Sequence, residues 1–136
     1  MSCVRAYTFV AYVAALSVLG CGVTAQTDVT VPSGATLYLY EARFDGMTQP
    51  ASMRLRYVQE NLKADTEYDV LSQDLLALCQ THAVPNLGEN GAKIGQIIVS
   101  IADQAFEFGE TRPDVTQFFE IFAYTDGQCA WAEVFE

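Results

Sequence analysis

Two carboxylates near the carboxy terminus, Glu120 and Glu133, bracket the aromatic residues Phe122 and Trp131. Carboxylates paired beside apolar rings can divide into a general acid and a general base, or hold a cation between them. A second constellation is Cys79-Gln-Thr-His82, in which a thiol and the chain's single histidine stand three residues apart. On a helix that spacing puts both on one face, as a thiol–imidazole nucleophile or half of a metal site requires. A zinc site needs further soft ligands, and beyond residue 21 the chain offers only Cys129. Asp65-x-Glu67-x-Asp69 has the spacing of the first calcium-loop ligands but lacks the glycine at the sixth place and the glutamate at the twelfth, so acids at a helix start account for it. Neither a metal nor a cofactor is expected. There is no Walker lysine motif, no Gly-x-Gly-x-x-Gly, no Gly-x-Ser-x-Gly and no second histidine, so nucleotide hydrolysis and standard serine hydrolysis have no support.

Positioning these groups falls to a hairpin and a helix. The stretches 116–124 and 128–135 flank Thr125-Asp126-Gly127, and Asp-Gly is a strong two-residue turn signal. With Asp126 and Gly127 in the turn, Tyr124 faces Cys129, Phe122 faces Trp131, Glu120 faces Glu133 and Phe118 faces Phe135, all on one face. Directly opposed carboxylates are unfavourable, so one is protonated, a cation lies between them, or Arg54 or Arg56 offsets them; the structural readings are that both reach a solvated rim or that a bulge shifts the register. Tyr68, Leu71, Leu75, Leu78, Cys79 and His82 recur at helical spacing, with Thr66 and Asp69 as a capping box, His82 at the carboxy-terminal dipole and Pro85 as the stop. The remaining elements are a strand at 35–44, a strand at 53–58 with Met53, Leu55 and Tyr57 inward and Arg54 and Arg56 outward, loops at 87–95 and 109–114, and a central strand at 96–102 that Phe106 and Phe108 extend after a bend. The order β-β-α-β-β-β predicts an α+β fold, a single antiparallel sheet of about five strands covered on one face by one helix. A Cys79–Cys129 bond would staple that helix to the sheet.

Residues 1–25 read as an export signal: one base, Arg5, then an apolar run at 6–19, then small residues, with the first acid at Asp28. Val23-Thr24-Ala25 suits cleavage before Gln26 and leaves 111 of the 136 residues, with 26–34 an extended leader and 35–136 a single domain. Val18-Leu19-Gly20-Cys21 resembles a bacterial lipobox and would instead make a lipidated Cys21 the first residue after a signal at 1–20; an uncleaved anchor over 6–23 is the third reading. In each case Cys79 and Cys129 are the pair left in the domain, and in an oxidising compartment such a pair forms a disulfide.

The chain carries 17 acids against 7 bases, a net charge of −10, and loss of Arg5 leaves −11. At 51% hydrophobic and 18% charged residues it is no disordered chain. Such a surface repels phosphate backbones, so nucleic acid is not an expected partner, whereas a basic protein is.

From Leu78 onward one run of motifs is fairly specific: Leu78-Cys79, Val84-Pro85-Asn86-Leu87, Gln96-Ile-Ile-Val-Ser-Ile-Ala-Asp103, Phe108-Gly109-Glu110, Thr116-Gln-Phe-Phe-Glu120 and Cys129-Ala-Trp131. Together they resemble a family of small exported proteins from Rhodobacter-like alphaproteobacteria, classified as a domain of unknown function. The resemblance covers about the last 60 residues, with Val31-Pro32-Ser33-Gly34 a weaker match. It implies export and the paired cysteines and carries no activity to transfer. Some members bear the label acetolactate synthase; one domain of this size offers neither the enclosure nor the metal motif that thiamine diphosphate requires, so at most a partner of such an enzyme is conceivable. The expectation is a periplasmic or secreted non-enzymatic module that binds a partner or associates with the envelope, held by one disulfide and touching membrane only through a lipid on Cys21. The rivals are a small enzyme or metal-binding protein built on Glu120 and Glu133, and an inhibitor of a basic cell-wall enzyme.

Overall fold

Residues 26–132 are described by a computed structural model of the chain. Alternation along the strands decides what faces the core. In β2 (Thr36–Asp45) and β3 (Ser52–Val58), Leu37, Leu39, Met53, Leu55 and Tyr57 turn to one side, where they meet Leu71 and Leu75 of α1 (Tyr68–Ala77). Ile97, Val99 and Ile101 of β4 (Gln96–Ala102) and Phe122 of β5 (Gln117–Thr125) complete the same core. A short β1 (Asp28–Thr30) opens the sheet and β6 (Gln128–Trp131) closes it. The fold is α+β, a single six-stranded sheet curled into a half-barrel and packed on one helix. The sixth strand is β1, which lies in the stretch expected as a leader and pairs Asp28 with Tyr38 and Thr30 with Thr36.

The strand order is sequential, β1-β2-β3-β4-β5-β6, yet the sheet is not wholly antiparallel. β3 and β4 run parallel, Ser52 opposite Gln96 through Val58 opposite Ala102. The reason lies in the connection: residues 59–95 carry α1 across the sheet, and a crossover of that length returns the chain in its original direction, whereas antiparallel neighbours are joined by tight turns.

The helix also departs from its sequence reading at both ends. The Thr66 hydroxyl bonds back to the Lys63 carbonyl at 2.6 Å, and Glu67, the residue flanking α1, makes no side-chain cap, so no capping box forms. Tyr68, at the first turn, is exposed rather than packed on the core. Regular α-helix stops at Ala77; the path widens into a π-turn at Leu78–Ala83 and tightens into 3-10 turns at Val84–Asn86 and Gly88–Ala92. Pro85 therefore does not end the helical path, because in the opening turn of a short helix its missing N–H has no bond to make.

The hairpin follows its predicted register. Tyr124 opposes Cys129 and Phe122 opposes Trp131, with their rings 5.0 Å apart. Asp126 and Gly127 both hold positive φ, 50° and 78°, as a primed turn demands. Glu133 and Phe135, the outer members of the register, lie outside the described residues. No helix among the described residues is long and apolar enough to cross a membrane.

Candidate functional site

The π-turn delivers Cys79 to Cys129, and the two form a disulfide with Cα atoms 6.3 Å apart. Gln80 reinforces it: its amide donates to the Gly127 carbonyl and accepts from the Cys129 N–H, both at 2.9 Å. Helix and hairpin are stapled as the sequence suggested, and the thiol of a Cys79–His82 nucleophile is consumed in the bond. His82 lies in the last turn of the Leu78–Ala83 π-helix, at its carboxy-terminal end, as expected. Its Nδ1 lies 2.6 Å from the hydroxyl of Tyr57, a side chain wholly buried in the core. Burial pushes the Tyr57 phenol up and holds the His82 imidazole down.

A pH signature follows. An unfolded histidine titrates near 6.5. With the folded value below that, the unfolded state takes up the proton first. His82 thus contributes fully above about pH 6.5, and that contribution is lost as pH falls through the folded value. Between about pH 7.5 and 5.5, ahead of most carboxylates, the urea midpoint should fall, and the His82→Gln protein should start lower and stay flat over the same interval. Parallel slopes in the two proteins would contradict this assignment.

Glu120 faces the helix side of β5 at its rim, half-buried, and accepts a hydrogen bond from the exposed Tyr68 hydroxyl at 2.9 Å. Its proposed counterpart, Glu133, lies outside the described residues, so the pair is not assembled among them. Among the described residues no three His, Cys, Asp or Glu side chains cluster as a metal site requires.

The helix supplies one charged group to the interior that the sequence reading passed over. Asp74, 3% exposed, accepts from the Ser33 N–H at 3.0 Å and the Ser33 hydroxyl at 2.5 Å, which anchors the Val31–Ala35 turn against α1. These charge-assisted bonds are structural, tying the first hairpin to the crossover.

The distinctive chemistry sits on the opposite face of the sheet. Arg54 and Arg56 point away from the core, as alternation requires, but not into solvent: Arg56 is 2% exposed. The covering is the connection between β4 and β5, residues 103–116, whose ends are clasped by Asp103 and Thr116. The Asp103 N–H donates to the Thr116 carbonyl at 3.0 Å, and the Thr116 N–H to the Asp103 carboxylate at 3.2 Å. Phe106 and Phe108, expected to prolong β4, instead leave the strand and fold over the arginines. Gly109, at φ 84°, supplies the left-handed turn directly after Phe108.

A bulge in β2 brings up the other half of the site. The pairing runs Leu39 to Tyr57 and then Glu41 to Arg56, so Tyr40 is an extra residue. One extra residue reverses the phase of a period-two pattern. Leu37 and Leu39 face the core, whereas Glu41 and Arg43, which the same parity would have sent inward, join Arg54 and Arg56. Glu41 then ion-pairs with Arg56 and with Arg43, the latter at 2.6 Å. The Arg43 bond, with Arg56 after it, holds the Glu41 carboxyl below its usual range against some desolvation. The guanidinium carbons of Arg43, Arg54 and Arg56 lie 4.3, 5.2 and 5.6 Å from the Phe108 ring centroid, and Arg56 also lies 4.6 Å from Phe106 and 4.9 Å from Tyr40. Three guanidinium groups around one ring is a dense use of cation–π contact. They are half of the six bases among the described residues, in a chain of net charge −10. The outward positions of Arg54 and Arg56 were readable from alternation; that of Arg43, the bulge that brings it there and the loop that covers them were not.

Two hollows flank Phe108. One, of about 620 Å³, opens between Tyr40, Glu41, Arg43 and the 105–108 segment. The other, about 350 Å³ and more enclosed, lies between Arg43, Arg54, Ser52 and Gln96. A scan against known families matches this chain over residues 14–135 to a family model described as a family of unknown function, DUF6497. No curated protein and no solved structure matches.

Proposed function

Given that the chain belongs to the family of unknown function DUF6497, we propose that it is an exported, non-enzymatic binding module whose recognition surface is the arginine face of its sheet. The observation that carries this reading is the convergence of Arg43, Arg54 and Arg56 on Phe108, with Glu41 the only carboxylate ion-paired to them among the described residues. An occupant of that face is anionic. Export is supported by the apolar run at 6–19 and by the cystine, a bond that persists in oxidising compartments. Delivery ends either in release after Ala25 or in a lipid anchor on Cys21. The absence of catalysis is supported by the cystine, which consumes Cys79, and by the Tyr57 hydroxyl, which occupies His82.

A second reading is favoured by the net charge of −10. The acids outside the arginine face would steer a basic protein, such as a cell-wall enzyme that the module inhibits. The two readings separate in one experiment on the cystine-intact protein: observation of the arginine Nε–H and backbone amide resonances during titration with polyphosphate, polyglutamate and polylysine. Movement of Arg43 and Arg54 with the polyanions supports the arginine face. Polylysine that shifts acidic surface residues while the arginines stay still supports the basic partner and sinks the leading reading.

A further inference from the structure

We infer that the enclosed hollow between Arg43, Arg54, Thr48, Ser52, Gln96 and Phe108 is a carboxylate-binding site with the Arg54 guanidinium as its principal donor. This rests on the arginine-face reading above and names the chemistry of its ligand.

Arg43 and Arg54 are direct cross-strand partners, and like charges in that position are unfavourable. Arg43 is relieved by Glu41. Arg54, half-buried between Arg43 and Ile98 on the neighbouring strands, has no carboxylate within ion-pair distance and no hydrogen-bond acceptor among the described residues. A guanidinium carries five donors in a fixed fork, and those of Arg54 line the hollow without an acceptor among the described residues, open to a ligand. Burial, together with the charges of Arg56 and Arg43, pulls the Arg54 pKa down, the direction that an anion in the hollow would reverse. Beside it the Gln96 side-chain amide also makes no hydrogen bond to a described residue, and the Ser52 and Thr48 hydroxyls, 3.2 Å apart, form a polar floor.

The choice of carboxylate over phosphate follows from the charges around the hollow. The three guanidinium groups of Arg43, Arg54 and Arg56 against the carboxylates of Glu41 and Asp45 leave a surplus of one positive charge, which suits one negative charge rather than two. The planar fork of arginine matches two coplanar oxygens. Phe108 and Ile98 give an apolar wall for the organic part of the ligand. At about 350 Å³ the hollow is at the small end of ligand sites, enough for a small acid or one terminal residue of a chain. A free organic acid and the carboxy terminus of a peptide present the same group, and the experiment separates them.

The cystine-intact protein is titrated with benzoate, inorganic phosphate, and an apolar tripeptide with its carboxyl group free or amidated, while the Arg54 Nε–H and Gln96 amide signals are followed. Benzoate should shift both saturably. Arg54→Lys should weaken binding about tenfold or more, since a point charge cannot reproduce the fork, and Arg54→Gln should abolish it with the rest of the spectrum kept. Arg112→Gln, at an exposed arginine that Asp114 engages, should change nothing. A free tripeptide that outbinds benzoate while its amide is silent assigns the site to chain termini; equal binding assigns it to small acids; both support the inference. Phosphate binding at Arg54 more tightly than every carboxylate overturns the carboxylate assignment and leaves the anionic face standing. Unchanged benzoate affinity in Arg54→Lys overturns the role of Arg54, and no shift at any arginine with any anion overturns both readings.

Discussion

Reduction of the Cys79–Cys129 bond, maintained by excess reductant, should lower the free energy of unfolding by about 4 kcal/mol, the largest single effect expected in this protein. The bond spans 50 residues, so in the unfolded chain it closes a loop containing β4, β5 and the crossover's end. Cutting it returns that freedom to the unfolded state. The folded state has little to lose, because Gln80 still bridges helix and hairpin through its bonds to Gly127 and Cys129. Against the roughly 5–15 kcal/mol of a typical domain, the reduced protein is marginal. Urea unfolding of both forms, each fitted with its own slope, measures this; the reduced form should show the steeper slope, since its unfolded chain exposes more surface. A difference below about 1 kcal/mol would mean that the reduced unfolded chain already keeps helix and hairpin together.

Arg56→Ala should cost about 3 kcal/mol, the second largest effect. The side chain is 2% exposed and fills the space between Tyr40, Phe106 and Phe108. Alanine removes these contacts, leaves a void beneath the 103–116 loop and strips Glu41 of one partner. The cost sits at the low end for a broken buried pair because Glu41 is itself partly exposed and keeps Arg43. Arg56→Met separates the contributions: it restores volume without charge and should recover about half of the loss. Hydrogen exchange in 103–116 should quicken in the alanine protein. Stability within about 0.5 kcal/mol of the original would show that the buried cation does not hold the loop.

The hairpin was legible because two local rules agree there: the Asp126-Gly127 turn fixes the register, and period-two alternation fixes the face, so Cys129 and Phe122 land where expected. The core side of β3 was legible for the same reason. Parallel pairing of β3 and β4 went unread because alternation within a strand says nothing of its neighbour's direction; the signal was the helix between them. The arginine face was half legible. Alternation placed Arg54 and Arg56 on the far side, but whether that side meets water depends on a distant segment, 103–116, and on the bulge at Tyr40, which shows in the sequence only as a phase slip between Leu39 and Glu41. Asp74 escaped because its partner, Ser33, is 41 residues away.

Sequential strand order with one parallel junction also bears on how the chain reaches this structure. β1-β2-β3 and β4-β5-β6 are two antiparallel meanders, each able to zip from its own turns. Only β3–β4 joins residues 44 apart in sequence at every rung, Ser52 with Gln96 to Val58 with Ala102. Local pairings close small loops and form early, while a distant pairing must first overcome the entropy of a long closure. The meeting of the two meanders is thus the late, rate-setting event. Oxidation of Cys79 with Cys129 ties the crossover to the second meander alone and leaves the first to be captured by noncovalent contacts such as Ser33 with Asp74.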